Sequence, residues 1–169
     1  MTESSAASLI PPESLAMVGE PLGAAVSGTI TLKESQRYAK AVDDLSPLYF
    51  DDAAAKAAGY RTLIAPPTFV GHVVVGHGNV EDLREDGIYR STGGRRVDLV
   101  AKRVMFGGEE WDFLEPAYVG DTITAQARLH SLEQKEGGSG PFVLMTTETT
   151  YTNQDGVTVA RARGKSIAR

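Results

Sequence analysis

Residues 43 to 52 read Asp43-Asp44-Leu45-Ser46-Pro47-Leu48-Tyr49-Phe50-Asp51-Asp52. Four carboxylates this close can act as general acids and bases or as ligands for a hard cation. Asp, Ser and Pro are also the residues of turns and helix starts, so most of the four are read as turn and cap residues. A metal site needs a histidine or further carboxylates at ligand spacing, and none stands nearby, so no metal is expected. The histidines are His72, His77 and His130. A lone histidine on an apolar helix is more often packed and hydrogen-bonded than catalytic; His130 alternates with Leu129 and is expected at the surface. Arg95-Arg96 near Lys102-Arg103 suit either a phosphorylated cofactor tail or, more commonly, a solvated strand end. No Gly-x-Ser-x-Gly elbow or Gly-x-x-x-x-Gly-Lys loop occurs, which argues against a serine hydrolase of that type and a P-loop NTPase. There is no cysteine, hence no thiol nucleophile, disulfide or thiolate metal site.

A second candidate is the start of the run Thr62–Gly78, TLIAPPTFVGHVVVGHG. Pro66-Pro67-Thr68 suits a helix start and the closing glycines Gly76 and Gly78 a helix end. The β-branched Val70, Val73, Val74 and Val75 also suit a strand, and periodicity alone does not decide for so short a run. We read one long buried helix, wrapped by a β-rich remainder. The N–H groups of Thr68 and Phe69 would be unpaired at its start. Such groups can hold a carbonyl oxygen as it gains negative charge, a capacity every helix start shares.

The elements that must position these residues are legible from patterning. With 169 residues, 41% of them hydrophobic and 23% charged, the chain can bury one sizeable core. A net charge of −5 points away from nucleic acid and anionic membrane as partners. No apolar run approaches the ~18 residues of a membrane span, and MTESSAASLIPPES lacks the features of a signal peptide, so a cytoplasmic protein is expected. Residues 1–25 form an N-terminal arm with one helical turn near Pro12–Val18; residues 26–169 form the domain. A strand at Gly28–Leu32 leads into a helix over Lys33–Val42, opened by the capping box Thr31-Leu32-Lys33-Glu34. A second helix covers Asp52–Ala58, ending at Gly59, and Glu81–Gly94 is a polar flap. From Val97 the texture is strands, including Thr122–Leu132, Phe142–Thr152 and Val157–Ile167. Hairpin turns lie at 136–140 and 153–156. The order is α+β, with an antiparallel sheet curled around one helix.

With the elements in place, Asp44-Leu45-Ser46-Pro47-Leu48-Tyr49 resembles the Asp-x-Asn-Pro-Leu-His motif of MaoC-like (R)-specific enoyl-thioester hydratases and 3-hydroxyacyl-thioester dehydratases. ITLKESQRYAKAVDD before it, FDDAAAKAAGY and LIAPPTF after it, and GGEEWDFLEPAYVGDTI further on extend the likeness over about Gly19–Arg169. It is nearest to the N-terminal dehydratase half of type I fatty acid synthases and of paired-subunit hydratases. The resemblance implies a single hot-dog fold, a long central helix wrapped by a curled sheet. It also implies addition of water to, or its loss from, an acyl thioester carried by CoA or acyl carrier protein, with no cofactor. An Asp and a His handle the water and proton, and an amide at the helix start holds the thioester oxygen. Asp44 matches the Asp, Ser46 stands for the Asn and Tyr49 for the His. Asp44 and Tyr49 are therefore the candidate catalytic pair; Ser46, Pro67, Thr68, Phe69 and His72 are candidate substrate contacts, with Thr68 the expected oxyanion amide because Pro67 has no N–H. Tyr, with an ordinary pKa of about 10, is a poor base at neutral pH. The resemblance thus implies the acyl-binding half of a heteromer whose MaoC-like partner subunit carries the full motif. The alternatives are a self-sufficient homodimer using Tyr49 or His72, and a non-catalytic acyl-thioester binding protein. A hot-dog thioesterase is disfavoured, since residues 66–78 hold no carboxylate.

Overall fold

The computed structural model describes residues 8–75, 81, 83, 85, 94–101 and 103–169. His77, Gly76, Gly78 and Lys102, with most of the expected flap, lie outside the described residues.

The architecture is α+β. Helix α1 (Pro12–Leu15) precedes strand β1 (Val26–Thr29), helix α2 (Leu32–Ala41), a 3₁₀ turn (Pro47–Tyr49), α3 (Asp52–Ala57) and α4 (Phe69–Val74). Four longer strands follow: β2 (Val104–Phe113), β3 (Thr122–Gly137), β4 (Gly140–Thr152) and β5 (Thr158–Ala168). They form one antiparallel sheet in the order β1-β3-β4-β5-β2. Among the described residues, no helix is long and apolar enough to cross a membrane.

Local chemistry accounts for most boundaries. Thr31 caps α2, its Oγ1 accepting from the Glu34 amide at 3.3 Å and donating to Glu34 Oε2 at 2.7 Å. The helix ends in a Schellman arrangement: Asp43 N–H donates to Lys40 O and Asp44 N–H to Ala39 O. Asp43 takes the left-handed backbone conformation this requires (φ 57°), which Asp tolerates better than most residues. Asp51 caps α3 by accepting from the Ala53 and Ala54 amides. The hairpin turn after β4 is held by Asn153 Oδ1, which accepts from Asp155 and Val157 N–H, both at 3.0 Å.

Among the described residues, the long central helix is not found. Instead, Leu63–Ala65 run extended beside residues 117–119, with Ala65 N–H on Ala117 O and Val119 N–H on Leu63 O. The chain turns at Pro66-Pro67-Thr68, and α4 spans only Phe69–Val74, with Val75 already extended (ψ 101°). The reason is in the residues. A residue before proline is pushed out of the helical region, so Ala65 and Pro66 cannot begin one. The β-branched valines lower the helical preference at the other end.

With a short helix, the inner face of the sheet needs a second cover. On β4 the inward residues are Val143, Met145, Thr147, Thr149 and Tyr151, opposite Ala168, Ser166, Gly164, Ala162 and Ala160 of β5. The Tyr151 end packs with Ile123, Ala125, Phe69 and Val70, under α4. The Val143 end packs with Leu129, Leu132 and Ala168 and is covered by Leu9, Ile10, Met17, Leu22 and Leu99. The β3 bulge between Leu129 and Ser131 keeps Leu132 on the inner face. His130 sits in that bulge, exposed as expected. The outer face of β5 carries Arg161 and Arg163, the latter paired with Glu148 at 2.8 Å.

Candidate active site

Two groups of predicted residues form around α2. In the first, Asp44, Ser46 and Tyr49 lie together. The Tyr49 hydroxyl donates to Asp44 Oδ2 at 3.1 Å, the Ser46 amide reaches Asp44 Oδ1 at 3.3 Å, and Ser46 Oγ accepts from Leu48 N–H at 3.4 Å. Ser46 therefore acts as the cap of the 3₁₀ turn. Tyr49 is 7% exposed and packs with Ala39 and Ile64, flanked by Phe50, Tyr60 and Tyr118. Burial, then the hydrogen bond and negative charge of Asp44, push its hydroxyl from 10.0 up to about 12. The pair is therefore a neutral phenol held against a carboxylate.

The neighbouring carboxylates have structural partners. Asp51 is the α3 cap; Asp52 pairs with Lys56 at 2.6 Å and accepts from Thr62 at 2.8 Å. Arg96 is exposed and lies 3.4 Å from Asp98, as a solvated charge pair does.

The second group is at the α4 start. Thr68 Oγ1 and the Tyr38 hydroxyl lie 2.9 Å apart. Tyr38, Phe69 and His72 form a ring triangle with centroids 5.3–5.6 Å apart. Of the two amides expected to be unpaired, Phe69 N–H is taken: it donates to Pro66 O at 2.9 Å. The Thr68 amide has no hydrogen-bond partner among the described residues. A six-residue helix supplies little dipole, so the amide itself carries whatever anion stabilisation occurs here. Tyr38 and Ala39 are adjacent on α2; one serves the second group and the other the first.

Cavities open on both sides of the Pro67-Thr68 turn. One, about 240 Å³, is mostly apolar and lined by Ile64, Pro67, Val70, Phe113 and Val159 among others. The other, about 420 Å³, is lined by Tyr38, Thr68, Gly71, His72, Glu109, Trp111 and Tyr151 among others. Glu109, Trp111 and Tyr151 were missed by sequence reasoning. Their one signal is strand alternation, which puts Glu109, Trp111 and Phe113 on one face of β2. Also missed was the clamp at Gly120-Asp121. Asp121 is 3% exposed and accepts from Arg61, from the Tyr118 amide at 2.9 Å and from Gln154 at 3.2 Å. Arg61 in turn stacks 4.1 Å over the Tyr118 ring. This clamp ties the segment before α4 to the start of β3.

The family described as FAS1-like, dehydratase domain region, matches residues 16–162. The chain belongs to that family. Among family relatives, a UPF0336 protein of Saccharopolyspora erythraea is 29% identical over 134 residues, covering 79% of this chain and 77% of the relative. A probable enoyl-CoA hydratase alpha subunit of Thermomonospora curvata is 27% identical over 169 residues; the match takes in 90% of this chain and 49%, about half, of that protein. Among solved structures, the ChsH1-ChsH2 complex from Mycobacterium tuberculosis superposes with TM-score 0.69 at 16% identity, over 92% of this chain and 89% of the other. The C-terminally truncated HadBC (3R-hydroxyacyl-ACP dehydratase) complex from the same organism gives 0.59 at 21% identity, over 88% and 98%. These likenesses establish a hot-dog-like fold with a curled five-stranded antiparallel sheet. Both neighbours are two-component complexes by name.

Proposed function

We propose that this chain is the acyl-binding subunit of a hydratase/dehydratase acting on enoyl and 3-hydroxyacyl thioesters of CoA or acyl carrier protein. It works in the cytoplasm as a heteromer, with a MaoC-like partner subunit carrying the complete Asp and His pair. The observation that carries the reading is the hydrogen bond of Tyr49 to Asp44: the hydroxyl, raised to about 12, cannot alternate between acid and base at neutral pH, and in the motif resemblance Tyr49 stands where a histidine is expected. The hetero-oligomeric character of the structural neighbours supports the same reading.

In this account the partner's histidine and aspartate deliver water to the β-carbon and a proton to the α-carbon of the enoyl thioester. Negative charge builds on the thioester oxygen, and the Thr68 amide receives it, worth about 3 kcal/mol when such a donor is well aligned. Phe69 and Pro67 fix that turn, His72 borders the same cavity, and the apolar cavity beyond Pro67 holds the acyl chain. Asp44, Ser46 and Tyr49 keep the segment's shape and form contacts with the partner half. The test is crotonyl-CoA hydration by the purified chain alone. No turnover is expected; turnover that survives Asp44→Asn would refute the reading.

A second reading has one observation in its favour: His72 shares a cavity with Thr68, so a homodimer using His72 as the acid–base group has its histidine beside the thioester oxygen. Partner-free hydration lost in His72→Ala would establish it, and unchanged activity in that variant would eliminate it.

A further inference from the structure

The larger cavity contains a donor that the fold does not use. Tyr151 is 7% exposed, its ring stacked on Trp111 with centroids 5.2 Å apart, and the same Trp111 stacks on Phe113. Its hydroxyl has no hydrogen-bond partner among the described residues, yet it is not sealed off. It borders the cavity beside Gly71: a Cβ placed at Gly71 would lie 3.6 Å from that oxygen. A hydroxyl that opens on a cavity and is not used by the fold is available to donate to an acceptor that arrives from outside. Burial and the negative charge of Glu109 push its pKa up to about 12, so at neutral pH it is a donor.

The other polar groups of the cavity narrow the acceptor. Thr68 Oγ1 is engaged with Tyr38, and the Glu109 carboxylate accepts from Trp111 Nε1 at 2.6 Å. A carboxylate at the rim disfavours an anionic acceptor such as a phosphate or a second carboxylate. What fits is an uncharged oxygen. On the acyl group itself the one oxygen present whatever the chain is the thioester carbonyl, and Thr68, with its unpaired amide, lines the same cavity. We propose that Tyr151 is a substrate-binding residue whose hydroxyl donates a hydrogen bond to the thioester carbonyl oxygen, as the second donor beside Thr68. The inference rests on the acyl-thioester reading above.

Trp111 is the one tryptophan of the chain and touches Tyr151, so its fluorescence reports on the cavity. The experiment titrates the full-length chain with butyryl-CoA and with S-butyl-CoA, a thioether lacking only the carbonyl oxygen. Butyryl-CoA should bind more tightly than S-butyl-CoA, and Tyr151→Phe should narrow that difference about tenfold, the size of one such hydrogen bond, by weakening butyryl-CoA alone; the preference that remains belongs to the Thr68 amide. A carbonyl preference of undiminished size in Tyr151→Phe overturns this inference and leaves the acyl-thioester reading standing. No response to either ligand overturns both. If Tyr151→Phe does not fold, ¹³Cζ-tyrosine NMR of the unsubstituted chain decides: the Tyr151 signal should shift with butyryl-CoA and stay with S-butyl-CoA, and equal shifts overturn the inference.

Discussion

Gly28 of β1 faces the backbone of α4, and the account depends on how closely the two approach. A Cβ at Gly28 would stand 2.1 Å from the Val73 carbonyl oxygen and 2.9 Å from its carbon. Both are backbone atoms, so no side chain can swing aside; either β1 leaves its pairing with residues 122–125 of β3 or α4 moves outward. Gly28→Ala therefore overpacks a rigid contact, and the cost belongs at the upper end of the range for such changes, about 3 kcal/mol. In a chain of this size each kcal/mol lowers the melting temperature by roughly 2–4 °C, so the variant should melt about 6–12 °C lower. Thermal unfolding followed by circular dichroism measures this directly. A variant melting within about 2 °C of the parent, a shift worth under about 1 kcal/mol, would mean that α4 does not press on β1 as described. The placement of Thr68 would then fall with it.

Two further perturbations test the electrostatics. Tyr49 and Tyr151 have folded-state pKa values raised from 10.0 to about 12, chiefly by burial. A raised pKa adds stability that is complete below pH 10 and is lost as the pH climbs through about 12; for Tyr49 the loss amounts to about 2–3 kcal/mol. Urea denaturation below pH 10 and near pH 12 should show the drop, and Tyr49→Phe should shrink it; a drop of the same size in that variant would contradict the burial described. Arg61→Ala leaves the buried Asp121 carboxylate with only the Tyr118 amide and Gln154, which should cost about 3 kcal/mol. A loss below about 1 kcal/mol, the size of an exposed pair, would show that the clamp is a surface contact only.

Elements governed by local chemistry were legible from sequence. The Thr31 cap, the turn at 153–156 and the strand alternation of 122–132 and 157–167 are set by residues within a few positions of one another, and they fall within one to three residues of their expected ends at most boundaries. The Thr62–Gly78 run was not, because its apolar character is equally that of an extended segment and a helix. The proline pair keeps the residues before it out of a helix, and what then holds them extended is tertiary: the hydrogen bonds of Leu63–Ala65 with residues 117–119, some fifty positions away. The same distance hides the second cavity, where Tyr38, His72, Trp111 and Tyr151 meet from four elements. Within the candidate site, the 44–49 motif was visible as a string. The unpaired state of the Thr68 amide, as against that of Phe69, depends on the turn geometry at Pro66 and was not.

The central claim is that this chain holds half of an active site. The most direct measurement follows loss of the crotonyl-CoA double bond for the chain alone, for a MaoC-like hydratase subunit with the complete motif, and for the two copurified. The account predicts no turnover by this chain, turnover by the pair, and its abolition when the partner's motif histidine is replaced. Turnover by this chain alone that is lost in Tyr49→Phe or His72→Ala would contradict it.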